Sequence, residues 1–277
     1  MLFRSLDPLV AGAVKPCDSA ADRTLVGVAG GPDVDGRVDV AIAKIREVRV
    51  DAAYGAIALS AISGFQGRRS EALTWTERAS SAYKAPGARS AIGRRLMAGW
   101  LAAGGQVPLA LTQIQKAVTE SKGLAEENQS TAAQAQLLAL ARQPKEADAA
   151  LAALAALADP LAPTRDARLL GLASGQVALA RGDFAAAIAA LDKAQSTLPK
   201  RSGNPLAPSL HLPIWFALGE AYMGAGRPAD AAPWFTRVVS SGHERTYQPL
   251  EYVRSFYYLG RIHEQAGDMT KAREAYR

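Results

Sequence analysis

Residues 215–235 read WFALGEAYMGAGRPADAAPWF and carry the pattern of two helices joined by a tight turn. Apolar residues recur at spacings of three and four in the first half, as the buried face of a helix requires. Gly226 can adopt the left-handed backbone conformation that ends a helix, and Pro228 suits the first turn of the next one. Ala231 and Phe235 lie four residues apart, on one face of that second helix. This stretch therefore predicts one helix pair.

The same arrangement recurs along the chain. Six turn residues are each followed, five residues later, by an alanine, and successive turns lie 37 to 44 residues apart. The six turn-and-alanine pairs are Gly67/Ala72, Gly105/Ala110, Arg142/Ala147, Gly182/Ala187, Gly226/Ala231 and Gly267/Ala272. A period in this range indicates a helical solenoid, in which each helix pair packs only on its neighbours. We therefore predict an all-α solenoid with no sheet over residues 51–277.

Two further positions repeat together with the turn, and they set the register. The first helices hold a small residue at Ser60, Ala98, Ala135, Gly175, Gly219 and Gly260. The second helices hold a larger residue at Thr76, Ile114, Leu151, Leu191, Phe235 and Tyr276. A small residue is needed where the two helices of a pair cross most closely, because a branched side chain there would push the axes apart.

Composition excludes several classes of protein. Cys17 is the only cysteine, so the chain has no disulfide framework and no cysteine-based metal site. The net charge of +6 comes from 32 basic and 26 acidic residues spread along the chain. Without a basic stripe, direct binding of nucleic acid is not expected. No uncharged apolar run is long enough to cross a membrane, so no membrane insertion is expected either.

The repeats imply two regions. Residues 1–36 are predicted to form an irregular N-terminal segment, because glycine and proline crowd its second half. Residues 37–277 are predicted to form the repeat domain, with a partial helix at Arg37–Val50 and about six helix pairs after it. The last pair stops about two turns into its second helix, so we expect it to be truncated and the chain to be a fragment.

The repeated residues resemble those of a known family. The spacing is similar to that of the tetratricopeptide repeat, whose unit is about 34 residues long, through Trp215, Leu218, Gly219, Tyr222, Gly226, Ala231 and Phe235. The resemblance is strong at Pro213–Ser241 and Val253–Arg277, good at Ala167–Pro199, and weaker in the three earlier pairs. Departures are the long connectors, Arg142 in place of the turn glycine, and His263 where the family usually has tyrosine. The resemblance implies a right-handed α-α superhelical solenoid.

The closing segment, residues 252–276, has a more particular likeness. It resembles the repeat arrays of large bacterial signalling proteins, where such arrays follow a serine/threonine kinase or a DNA-binding regulatory domain. The sequence contains neither a kinase phosphate loop nor the kinase catalytic motifs. The resemblance therefore implies a docking or sensory region rather than a catalytic one.

The resemblance also implies where a partner would bind. Ligands of this family lie in the concave groove lined by the first helices, and in the last two pairs these positions are Phe216, Glu220, Met223, Arg254, Tyr257, Arg261, Glu264 and Gln265. The groove is more apolar than charged, which suits an amphipathic helix or an internal segment of the same protein. The alternative is that these charges form only a solvated helix face.

Catalytic and metal sites are not expected. The three histidines, His211, His243 and His263, include no pair four residues apart, which is the usual spacing of a helical zinc site. The segment from Asp33 to Gly36 is similar to part of a calcium loop, but Ile42 takes the place of the glutamate ligand. We therefore expect no catalytic residue, no cofactor and no bound metal.

Two functions remain. The first is a non-catalytic scaffold that binds a peptide or helix of a protein partner, or packs on a missing domain of the same protein. The second is the ligand-sensing region of a transcriptional regulator that acts on an attached DNA-binding domain. We expect a cytoplasmic location, or an extracytoplasmic one if a membrane helix precedes the array in a longer protein.

The register generates a first prediction. Ala231→Leu should lower the free energy of unfolding by about 1–3 kcal/mol, because a larger side chain would overpack a close helix crossing. Thermal and urea unfolding followed by circular dichroism measure the change. A variant as stable as the wild type would mean that the register is shifted.

Overall fold

The computed structural model of the protein describes residues 52–82, 87–199, 210–242, 245 and 248–276. These residues form twelve helices and no strand, as the periodicity predicted. The helices are α1 Ala52–Phe65, α2 Arg69–Ser81, α3 Ala88–Ala103, α4 Val107–Ser121, α5 Glu127–Leu140, α6 Pro144–Ala156, α7 Pro163–Arg181, α8 Phe184–Ser196, α9 His211–Gly224, α10 Pro228–Val239, α11 Pro249–Gln265 and α12 Met269–Tyr276. The irregular segment 1–36, the partial helix predicted at 37–50, the calcium-like loop and His243 lie outside the described residues.

Each odd-numbered helix packs on the even-numbered helix that follows it, which gives six pairs. All six predicted turn residues have a left-handed backbone, with φ between 59° and 77°. The N–H of each turn residue donates to the carbonyl three residues earlier, and the next N–H donates to the carbonyl five residues earlier. This is the hydrogen-bond pattern of the Schellman motif, which satisfies carbonyls left free at a helix end. The predicted turns are thus confirmed in every pair.

Helices α8 and α12 begin at aspartates that cap them. The Asp183 carboxylate accepts a hydrogen bond of 3.0 Å from the backbone N–H of Ala186. Asp268 accepts a bond of the same length from the backbone N–H of Lys271. Each bond satisfies one of the N–H groups that the first turn of a helix leaves without an intrahelical partner.

The helices of each pair cross where the register predicts. The six alanines of the second helices are all at most 2% exposed. Opposite them, the glycines at the small positions of the first helices leave no space for a larger side chain. A Cβ added at Gly219 would lie 2.6 Å from the Phe235 ring, and one at Gly260 would lie 2.2 Å from the Tyr276 ring. The predicted pairing of small and larger positions is therefore confirmed where glycine occupies the small one.

The first helices form a closed circuit. Each of them contacts the first helix of the next pair, and α11 also contacts α1. At that last contact the rings of Phe65 and Tyr252 meet edge to face, with centroids 5.8 Å apart. Phe65 is the last residue of α1, and Tyr252 lies in the first turn of α11. The C-terminal end of α1 therefore contacts the N-terminal end of α11.

Within the described part of the chain, no helix combines the length and the apolar character needed to cross a membrane.

Arg142 generates the second prediction. Among the described residues it is the only non-glycine with a positive φ, and this conformation is unfavourable for a residue with a Cβ. Arg142→Gly should raise the free energy of unfolding by about 0.5–1 kcal/mol, which is the relief of strain less the entropy of a freer unfolded chain. Equilibrium urea unfolding measures the difference.

Gly182→Ala is the matched control for this prediction. Gly182 occupies the same turn position, and a Cβ added there would meet no atom within 4 Å. Only the backbone conformation opposes the added methyl group, so this variant should lose about 1 kcal/mol. A loss of stability in Arg142→Gly would show that the arginine side chain outweighs the strain of its backbone.

Candidate functional site

A charged network joins α9 and α11, which are the first helices of the last two pairs. Arg254 Nη2 on α11 lies 2.6 Å from Glu220 Oε1 on α9. The Tyr258 hydroxyl donates to the same carboxylate oxygen over 2.9 Å. Arg254 and Tyr258 are four residues apart, so they share one face of α11. The network therefore fixes the distance between two neighbouring helix pairs.

Burial changes the acidity of all three groups. Desolvation raises the pKa of Glu220, although Arg254 and Tyr258 act in the opposite direction. Burial alone would lower the pKa of Arg254, but Glu220 and Tyr258 outweigh it and raise that pKa. Desolvation and the nearby carboxylate raise the pKa of Tyr258 to about 12. At neutral pH the tyrosine therefore stays a hydrogen-bond donor to Glu220.

The structure corrects one residue of the predicted groove, because Phe216 is only 4% exposed. Its ring meets Phe235 edge to face at 5.8 Å and lies 6.0 Å from Tyr258. The Arg254 guanidinium covers it, 4.9 Å from the ring centroid. Phe216 lies three residues before Gly219, the small residue of α9, and this position faces α11 rather than the groove. The Phe216 ring therefore packs beneath Arg254 and Tyr258 and is not itself available to a partner.

Tyr257 occupies the same position in α11, but its side chain is exposed rather than buried. No described helix follows the last pair, and the Tyr257 side chain is 44% exposed. Its hydroxyl accepts a hydrogen bond of 3.1 Å from Arg261 Nη1, which raises the pKa of Arg261. Glu264 accepts a bond of 2.9 Å from the Tyr276 hydroxyl, on α12. These side chains form an exposed surface that is both aromatic and charged, which we call the terminal face.

The other predicted groove residues flank these two groups. Met223 is half-buried and packs against the aromatic cluster around Phe235. Gln265 is exposed at the end of α11. The structure thus brings Glu220 together with Arg254, and Tyr257 together with Arg261 and Glu264.

Three residues of this region were not predicted as site residues. The position of Tyr258 holds buried alanines in α7 and α9, Ala173 and Ala217, so the repeat pattern predicts packing there rather than a site. Tyr276 has a packing position in the repeat, yet its hydroxyl donates to Glu264. The third is Glu251, whose pKa is raised by desolvation. Its place in the first turn of α11 gave no sign of that in the sequence.

Histidine and carboxylate side chains are the candidates for metal ligands among the described residues. In the described ranges, no group of three or more His, Cys, Asp and Glu side chains is arranged to hold a metal ion. His211 is buried, and its Nε2 lies 2.9 Å from the carbonyl oxygen of Pro199. Its ring also packs edge to face on Trp215, with centroids 5.4 Å apart. His211 is therefore a packed residue that ties α9 to the preceding connector.

The family follows from a comparison of the sequence with family models. The model described as Tetratricopeptide repeat matches residues 172–249 and again residues 216–277. The region 172–277 of this chain is similar to the tetratricopeptide repeat family. The three helix pairs before it have the same Schellman turns and the same buried alanines as the matched repeats. The resemblance to the tetratricopeptide repeat is thereby confirmed, whereas the likeness of residues 252–276 to arrays of bacterial signalling proteins stays a prediction.

Two solved structures illustrate what the chain is similar to. One is a tetratricopeptide repeat protein from Parabacteroides merdae ATCC 43184, with 13% identity, a TM-score of 0.49, and coverage of 91% of this chain and 84% of that one. Another is PilW, titled a widely conserved type IV pilus biogenesis factor, with 18% identity, a TM-score of 0.41, and coverage of 78% and 86%. No curated protein matches the sequence.

Glu251 generates the third prediction. Because desolvation raises its pKa above the unfolded value of 4.5, the folded state binds more protons than the unfolded state just above that pH. Stability should therefore fall as the pH rises through this window. Glu251→Gln should raise the melting temperature at pH 7 and leave it unchanged near pH 4, where the wild-type carboxyl is protonated in both states.

The control is Glu274→Gln, which removes an exposed carboxylate from α12 and should change neither melting temperature. Differential scanning fluorimetry across pH 4–8 makes the comparison. A lower melting temperature for Glu251→Gln at pH 7 would show that attraction to Arg254 outweighs the cost of desolvation.

Proposed function

We propose that this tetratricopeptide array is a non-catalytic scaffold that binds a peptide or helix of a protein partner through the last two helix pairs. The observation that carries the proposal is the terminal face, where Tyr257, Arg261 and Glu264 lie exposed together on α11. Exposed aromatic and arginine side chains on a rigid support are the usual anchors of protein interfaces. Gln265, the last residue of α11, is exposed next to Glu264 and extends this surface.

The chemistry of this surface favours an amphipathic helix as the partner. Tyr257 and Tyr276 present two rings whose centroids are 6.2 Å apart, which suits contact with apolar side chains. Arg261 and Glu264 carry opposite charges at the edge of these rings, so they can orient a partner helix by its own charges. The charged residues are already positioned by hydrogen bonds to the two tyrosines, which lowers the entropy lost on binding.

The biological setting is part of the same proposal. The likeness of residues 252–276 to arrays in bacterial signalling proteins supports a docking or sensory role beside a kinase or regulatory domain. We place the array in the cytoplasm, where those domains act. The second candidate is the ligand-sensing region of a transcriptional regulator, which the hydrogen-bonded pair of Glu220 and Arg254 between α9 and α11 favours as a small-molecule contact.

Capture of partners tests the scaffold. The double variant Arg261→Glu and Tyr257→Ala should keep the helical circular dichroism signal, because both side chains are exposed. Compared with the wild type, it should lose a defined subset of the proteins that are captured from a lysate of the source organism. Quantitative mass spectrometry of the captured proteins measures the loss.

A matched control carries Arg273→Glu and Leu109→Ala, which change one exposed cation and one exposed apolar residue on second helices. This control should capture the same proteins as the wild type. Identical captured sets for all three proteins would remove the terminal face as the binding surface. If the wild type captures no protein, and a small-molecule extract of the same lysate raises its melting temperature, the regulator is favoured instead.

A further inference from the structure

Arg245 lies between α10 and α11 and is only 4% exposed. Its carbonyl oxygen accepts a hydrogen bond of 3.1 Å from the backbone N–H of Gln248, which holds it next to the first turn of α11. Among the residues that the structure describes, it is the only lysine or arginine that is buried. A buried charge is costly unless an opposite charge and hydrogen bonds compensate for the loss of water.

The described part of the chain does not supply this compensation. The Nη2 atom of Arg245 is buried and has no hydrogen-bond partner there, and none of the described carboxylates forms an ion pair with Arg245. Arg95 on α3 shows the usual arrangement, although it is less deeply buried. Its Nη1 lies 2.9 Å from Glu126 Oε2, and its Nη2 donates to Gln129 over 2.8 Å. Arg245 is thus a buried cation that still needs an acceptor.

Tyr252 places a second such group beside Arg245. The guanidinium carbon of Arg245 lies 5.4 Å from the centroid of the Tyr252 ring, and Tyr252 is only 1% exposed. The Tyr252 hydroxyl is buried, and no described residue forms a hydrogen bond with it. Desolvation raises the pKa of this hydroxyl, although Arg245 lies close enough to act in the opposite direction, so it remains a donor at neutral pH. Phe65 and Phe256 hold the ring edge to face, with centroids 5.8 Å and 5.2 Å away.

We propose that Arg245 and Tyr252 form a binding site for a small free oxyanion such as inorganic phosphate. An oxyanion carries the negative charge that Arg245 lacks, and its oxygens can accept hydrogen bonds from the guanidinium and the hydroxyl together. The ion is a free one, because both residues are at most 4% exposed and a side chain of a folded partner would have to displace the start of α11 to reach them. Since Tyr252 also contacts Phe65 of α1, the bound ion would steady the contact between the first and last helix pairs.

Thermal unfolding with added inorganic phosphate tests the site. The melting temperature of the wild type is measured by differential scanning fluorimetry from phosphate-free buffer up to about 20 mM phosphate, with sodium chloride holding the ionic strength constant. It should rise by about 2 °C or more and then level off, because a ligand that binds only the folded state stabilises it. Arg245→Gln should lose this rise, since it removes the charge that attracts the ion.

The matched control is Arg237→Gln. Arg237 also covers an aromatic ring, with its guanidinium carbon 4.6 Å from the centroid of Trp234, but it is exposed, so water satisfies its N–H groups. This variant should respond to phosphate as the wild type does. Tyr252→Phe keeps the ring, removes only the hydroxyl, and should weaken the apparent affinity for phosphate by about tenfold, as expected for a hydrogen bond to a charged group. It gives a reading even if Arg245→Gln fails to fold.

Three results would overturn the oxyanion site. The first is a wild type whose melting temperature shows no saturable rise with phosphate. The second is an equal rise in Arg245→Gln, which would mean that Arg245 has only a structural role. The third is a rise that requires Arg245 and occurs with a hexaglutamate peptide but not with phosphate, which would assign Arg245 to a protein partner. None of these results bears on the terminal face, because its test is the capture of partners.

Discussion

In every helix pair the axes approach so closely that one side of the crossing has room for little more than a hydrogen atom or a methyl group. At Gly219 the ring of Phe235 occupies the space that a Cβ would take, and at Gly175 the side chain of Leu191 does the same. Protein interiors are packed tightly enough that such a contact cannot be relaxed by small shifts elsewhere. The crossing therefore fixes the angle of each pair, and the angle sets how one pair stacks on the next.

Stacking of the pairs decides which side chains reach the surface. Phe216 and Tyr257 stand at equivalent positions, yet α11 covers the first, and no described helix covers the second. The covered ring becomes part of an aromatic cluster with Phe235 and Tyr258, whose rings stack at 4.6 Å. That cluster in turn supports the Arg254–Glu220 pair. The candidate site is thus an extension of the packing between the last two pairs.

Closure of the array adds a constraint that the repeat itself does not contain. A solenoid whose pairs contact only their neighbours leaves its groove open along one side. Here Phe65 and Tyr252 join helices at opposite ends of the array through an edge-to-face ring contact. The first and last pairs therefore contact each other as well as their own neighbours.

Features that depend on local spacing can be read from the amino-acid sequence alone. The turns, the buried alanines and the small first-helix positions all follow from residues a few positions apart, and even Arg142 adopts the conformation that its place in the repeat requires. Roughly half of the candidate site was predicted in the same way, because Arg254, Arg261 and Glu264 share a helix face with fixed spacing. The burial of Phe216 and the hydrogen bond from Tyr258 to Glu220 could not be predicted in this way, because both depend on how α11 lies on α9. The same holds for the contact of Phe65 with Tyr252, because residues that far apart in the sequence meet through the summed angles of all the helix crossings between them, which no local pattern encodes.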